Sequence, residues 1–84
     1  ESTAVELQCK NELMKVMIDR FGESVTTLPC DKDSFRLIAE VAASPTFFGW
    51  VFSFGGDVKI LSPKILIDQY KEKVRQAASQ FVAE

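Results

Sequence analysis

Alternation of apolar and polar residues predicts four β-strands in this chain. In the first, Val5, Leu7 and Cys9 alternate with polar neighbours, which is typical of a strand with one buried and one exposed face. The other predicted strands cover residues 25–28, 35–41 and 58–60. The second and third form a hairpin, because the acidic segment 31–33 between them has the composition of a turn.

Three other segments have helical spacing and residue types typical of helix ends. Asn11 is a good N-cap and Gly22 a good left-handed residue after the last turn, so a helix is predicted over 12–21. Ser44-Pro45 and Ser62-Pro63 are each a cap followed by proline at the first helical position. The first pair opens a short helix before Gly55-Gly56, and the second opens an amphipathic helix of about twenty residues. The apolar stripe that this last helix is expected to dock comprises Leu66, Tyr70, Val74, Ala77 and Phe81.

The resulting order, β-α-β-β-α-β and then a helix, predicts an α+β fold. With right-handed connections it is ferredoxin-like, a four-stranded antiparallel sheet with two helices on one face and an added C-terminal helix. The 84 residues suffice for one core and are too few for two, so residues 1–84 are expected to be a single domain. Because the chain starts without methionine, we expect a fragment of a longer protein.

The two cysteines are predicted to be free thiols. In this fold the third strand separates the strands that carry Cys9 and Cys30, which places them about 9 to 10 Å apart, beyond disulfide reach. Free thiols favour a reducing, cytoplasmic compartment. With no histidine and no Cys-x-x-Cys pair we expect no metal and no cofactor, and with no apolar run of about 18 residues we expect no membrane span.

Catalytic chemistry has little support in this sequence, and we expect that the domain is not an enzyme and has no catalytic residues. Asp31 and Asp33 form the closest acidic pair, which a turn explains, and Cys30 has only Lys32 as a cationic neighbour.

The net charge of −2 argues against strong binding to nucleic acid phosphates. RNA-recognition domains share the strand order but stack bases on aromatic residues of the outer sheet face. None of the outward positions here is aromatic, which argues against an RNA-binding face; they are Glu6, Gln8, Arg36, Ile38 and Glu40.

The aromatic residues are concentrated in the second helix, which is apolar all round and therefore needs cover on more than one side. Either the last helix or a partner supplies that cover for Phe48 and Phe52. On the opposite sheet face, Ile38 and Leu61 lie among charged residues. We therefore take Ile38, Phe48, Phe52 and Leu61 as a candidate interface and expect a homodimer.

Residues 50–55 (WVFSFG) and 58–63 (VKILSP) resemble the WCX domain, the C-terminal extension of WYL-domain bacterial transcription regulators. Phe81 stands where the family has an aromatic residue near the end of its last helix, and the resemblance covers nearly the whole chain. It implies a regulator whose N-terminal winged helix-turn-helix binds DNA and whose WYL domain senses an effector of unassigned identity. In that arrangement the WCX domain helps to dimerise the protein and to transmit the signal.

Two other functions stay open on the sequence alone. A small-molecule sensor of the ACT type has the same strand order and binds amino acids between paired domains. Its usual glycine-bearing loop after the first strand is missing here, where the junction reads Cys9-Lys10-Asn11. A purely structural oligomerisation domain would differ from the regulatory one only in transmitting no signal.

Overall fold

In a computed structural model, which describes residues 2–81, the chain forms four strands and three α-helices. The strands are β1 (Thr3–Lys10), β2 (Thr26–Pro29), β3 (Ser34–Val41) and β4 (Val58–Ser62), and the helices are α1 (Met14–Phe21), α2 (Pro45–Phe52) and α3 (Lys64–Ser79). A single 3₁₀ turn, Asn11–Leu13, joins β1 to α1.

The strands pair in the order β2-β3-β1-β4, and every pair is antiparallel. This confirms the predicted ferredoxin-like α+β sheet with an added C-terminal helix. The register is continuous between β1 and β3, where Leu7 faces Leu37. Between β1 and β4 it shifts, so that Leu61 is an extra residue between the partners of Leu7 and Glu6.

The core lies between the helices and one face of the sheet, as the alternating pattern predicted. Strand residues that the sequence assigned to the inner face, Val5, Leu7, Phe35, Leu37 and Val58, are all buried, and Ile60 is half-buried. Met17 of α1, Val51 of α2 and Leu66 of α3 complete the same cluster. One face of the sheet is therefore covered, while outward side chains such as Ile38 and Lys59 stay exposed.

Two predicted helix-end residues, Ser44 and Gly22, are confirmed, and two others are not. The hydroxyl of Ser44 accepts a hydrogen bond from the backbone N–H of Phe47 at 3.3 Å, and Gly22 has the positive φ of 94° expected after α1. The prediction for Asn11 was wrong, because its side chain instead donates to the Lys32 carbonyl in the β2–β3 turn. The prediction for Ser62 was also wrong: it ends β4, and α3 begins without a side-chain cap.

The last helix docks over only its first half. Leu66 is buried and Tyr70 half-buried, but Val74 is 36% and Phe81 72% exposed. The expectation that the whole stripe docks was therefore wrong beyond Tyr70. At about 1.5 Å per residue, α3 is twice as long as the eight-residue α2 beside it, and it extends beyond the surface that α2 can cover.

The cysteines are as predicted. Cys9 is buried, Cys30 is exposed, and both are free thiols.

Candidate interaction surfaces

The four predicted interface residues do not form one surface. Ile38 and Leu61 are 41% and 37% exposed and lie on the open face of the sheet. Phe52 is 59% exposed on the helical side of the domain. Phe48, by contrast, is only 4% exposed, so almost none of its side chain is available to a partner.

Phe48 is covered from within the chain by α3. Its ring stacks on Tyr70 with centroids 6.0 Å apart and also contacts Phe47 at 5.7 Å. The sequence left open whether the last helix or a partner covers Phe48, and the structure shows that the last helix does.

The opposite side of α2 is held by α1. Trp50 makes edge-to-face contacts with Phe21 at 5.6 Å and with Phe54 at 5.1 Å. The guanidinium of Arg20 lies 5.1 Å from the centre of a Trp50 ring, within the range of a cation–π interaction. Aromatic contacts thus join α2 to both other helices.

Helices α2 and α3 together line a groove of about 200 Å³, which we call the α2–α3 groove. Its lining is Pro45, Phe48, Gly49 and Phe52 of α2 and Tyr70, Lys73, Val74 and Ala77 of α3. The lining is almost entirely apolar, with Lys73 as its charged member. Helical spacing alone does not predict this groove, because it places the whole α3 stripe against the core.

The open sheet face is less suited to association. Arg36 pairs with Glu6 at 2.7 Å, and Glu6 lies directly opposite Ile38 in the register. Ile38 and Leu61 are consequently separated by a charged pair and do not form a continuous apolar patch.

One end of the sheet has a polar hollow of about 190 Å³ next to the β2–β3 turn. A carboxylate oxygen of Asp31 accepts from the backbone N–H of Asp33 at 2.8 Å and from the hydroxyl of Ser34 at 2.9 Å, and both bonds lower the pKa of Asp31. Gln8 in turn donates to Ser34 at 3.0 Å. These bonds support the turn interpretation of the acidic pair, and among residues 2–81 no cluster of acidic and cysteine side chains fits a metal ion.

Of the two thiols, Cys9 is unsuited to nucleophilic chemistry. Burial raises its pKa to about 11, so the thiol is protonated at neutral pH.

Fold and surfaces together define a ferredoxin-like α+β domain with one open sheet face and an apolar groove between two helices. The family model of the WCX domain matches residues 1–78, and the chain belongs to that family. This membership is consistent with a C-terminal domain of WYL-type regulators and supports a transcription-regulator context. A comparison with curated proteins finds no match. Within the described range, 2–81, no helix has the length and apolarity needed to cross a membrane.

Proposed function

We propose that this domain is the C-terminal regulatory and oligomerisation module of a cytoplasmic, DNA-binding transcription regulator that also has a WYL sensor domain, and that it is not itself an enzyme. Membership of the WCX family supports the first part. The observation that carries the oligomerisation role is the exposed apolar surface along the α2–α3 groove, with Phe52 at 59% exposure. Such a surface is costly in water and suits contact with another protein surface.

A regulatory role is supported by the aromatic contacts of α2. Trp50 packs against α1 and Phe48 packs against α3, so a shift of one outer helix must repack α2 and thereby affect the other. A ligand-dependent movement delivered to either helix would in this way alter the α2–α3 groove.

DNA binding is assigned to the regulator's N-terminal domain. The net charge of −2 gives this domain no electrostatic advantage on a phosphate backbone. Its contribution to DNA binding would be indirect, because two linked helix-turn-helix domains bind paired half-sites more tightly than one does.

The test compares the full regulator with a version that lacks this domain, by sedimentation and by titration of the DNA that the full regulator selects. Deletion is expected to lower the oligomeric state and to weaken DNA binding at least tenfold. Unchanged assembly and unchanged affinity would contradict the proposal.

A gel-shift titration of this domain alone on duplex DNA is the companion experiment. No micromolar, salt-sensitive complex is expected. A saturable thermal shift with free amino acids would instead favour the ACT-like alternative.

A further inference from the structure

The α2–α3 groove is large enough to hold one aromatic ring with a short side chain. Its volume is about 200 Å³, whereas an apolar cavity of about 150 Å³ already holds a benzene molecule. Phe52 lines the groove from α2, and Tyr70 and Val74 line it from α3. Aromatic and aliphatic walls of this kind are typical of sites that bury the apolar part of a small molecule.

Gly49 leaves the backbone of α2 open to this groove. It lies in the interior of an eight-residue helix, where glycine is less favourable than every other residue except proline. A Cβ atom added at Gly49 would have no neighbour within 4 Å outside its own stretch of helix, so packing within residues 2–81 does not require glycine there. Glycine at such a position permits a ligand to approach the helix backbone closely.

Lys73 gives the groove one positive charge that has no internal counter-ion. The residues one helical turn before and after it are uncharged. On the same helix, Asp68 pairs with Lys64 at 2.9 Å. Glu72 is bonded to Arg75 through both carboxylate oxygens. Among residues 2–81, Lys73 therefore has no ion-pair partner, and an anionic group in the groove would supply one.

We propose that the α2–α3 groove binds a small aromatic carboxylate, with its ring over Gly49 and its carboxylate beside the ammonium group of Lys73. A single lysine balances one negative charge, which suits a carboxylate better than a doubly charged phosphate monoester. The same surface carries the oligomerisation role proposed above, so an occupied groove would offer a partner a different surface. Binding to the groove does not require that role, and separate experiments test the two.

Phenylacetate is the probe, because it has one ring and one carboxylate. Titration into the isotope-labelled chain should shift the backbone amide signals of the groove residues in a saturable way, with a dissociation constant on the order of 1 mM. The amide signals of the polar hollow beside the β2–β3 turn should not move. No saturable shift below about 10 mM, or shifts centred outside the groove, would overturn the proposal.

The variant Gly49→Ala tests the contact with the helix backbone without a loss of stability. Its methyl group takes space in the groove and should weaken phenylacetate binding about tenfold, whereas the thermal midpoint of unfolding should stay the same or rise. Gly56→Ala is the matched control, because a Cβ atom there also meets nothing within 4 Å but does not line the groove. Equal affinity of the two variants would contradict binding over Gly49.

Phenylacetamide, which has the same ring but no charge, tests the role of Lys73. Lys73→Gln should weaken phenylacetate binding about two- to fivefold, as the loss of an exposed ion pair does, and should leave phenylacetamide binding unchanged. Lys71→Gln is the matched control, because Lys71 is an exposed lysine of the same helix outside the groove. An equal loss for both ligands, or for both lysine variants, would refute the charge pairing.

The same titration of the full regulator tests what occupies the groove in the whole protein. The regulator should bind phenylacetate with an affinity similar to that of this chain and with the same sensitivity to Gly49→Ala. Binding to this chain but not to the full regulator would show that another domain or a second copy fills the groove, and would overturn the proposal. That result would leave the oligomerisation role standing, because the deletion experiment measures assembly independently.

Discussion

Replacing Phe48 by alanine tests whether α3 is held to the domain through α2. Phe48 is 4% exposed, and its ring contacts Tyr70 of α3 and Phe47 of its own helix. Removing a buried phenylalanine ring typically costs about 3 to 5 kcal/mol of unfolding free energy, because apolar contact is lost and a cavity remains. In a domain of this size that loss is a large share of the total stability.

Part of the loss should come from the Phe48–Tyr70 pair itself. Aromatic pairs contribute about 0.5 to 1.5 kcal/mol beyond the area that they bury. A double-mutant cycle of Phe48→Ala with Tyr70→Ala should therefore give a coupling energy in that range. Hydrogen exchange should also become faster in the turn of α3 that carries Tyr70, while Leu66 still holds the first turn of the helix in the core.

Urea unfolding followed by circular dichroism measures these free energies, with Phe52→Ala as the matched control. Phe52 is the same residue type one turn further along α2, but it is 59% exposed, so its loss should cost less than about 1 kcal/mol. Equal effects of the two substitutions would refute the proposed docking. A coupling energy near zero would show that α3 does not depend on the ring contact with Tyr70.

Three further predictions concern single side chains. Ser44→Ala should destabilise the domain by about 1 kcal/mol because it removes the α2 cap, whereas Ser62→Ala should change stability by less than about 0.5 kcal/mol. Denaturant titration of both variants measures the two losses, and a larger loss for Ser62→Ala than for Ser44→Ala would contradict the prediction. A thiol reagent at pH 8 should label Cys30 and leave Cys9 unreacted until the chain is unfolded, because burial raises the pKa of Cys9 to about 11; two fast-reacting thiols would contradict this. Hydrogen bonds lower the pKa of Asp31 in the folded chain. The charged carboxylate therefore stabilises the fold at pH values above the usual carboxyl pKa, and this stabilisation is lost as the pH falls through the lowered pKa. The stability difference between the parent chain and Asp31→Asn should accordingly shrink on acidification, and a difference that grew would be inconsistent with the lowered pKa.

Strand pattern and order were sufficient to predict the sheet. Alternation identified the inner face correctly from Val5 to Val58, because a half-buried strand has a strict period of two. The Ser44 cap was also recognisable, since the cap bond is made to a backbone group three residues away. The same Ser-Pro signal failed at Ser62, which the strand β4 takes as its last residue.

Apart from the Ser62 cap, the errors concern contacts between distant segments. The side chain of Asn11 bonds the Lys32 carbonyl, and no pattern around residue 11 encodes a turn 21 residues later. The α3 stripe has correct helical spacing, but spacing cannot reveal that the body of the domain ends near Tyr70. The surface that Phe52 and Val74 share therefore emerged only from the packing of two complete helices.

The position of β1 has a mechanical consequence. It is the first strand in the sequence, yet it lies inside the sheet, hydrogen-bonded to β3 on one side and to β4 on the other. Its inter-strand bonds run perpendicular to the strand, so a pull applied along β1 at Thr3 loads both ladders in shear, and their bonds resist together. An edge strand such as β2 has only one ladder to bear such a load. Tension that reaches the domain through β1 would consequently move the sheet as a rigid plate before it extended the chain.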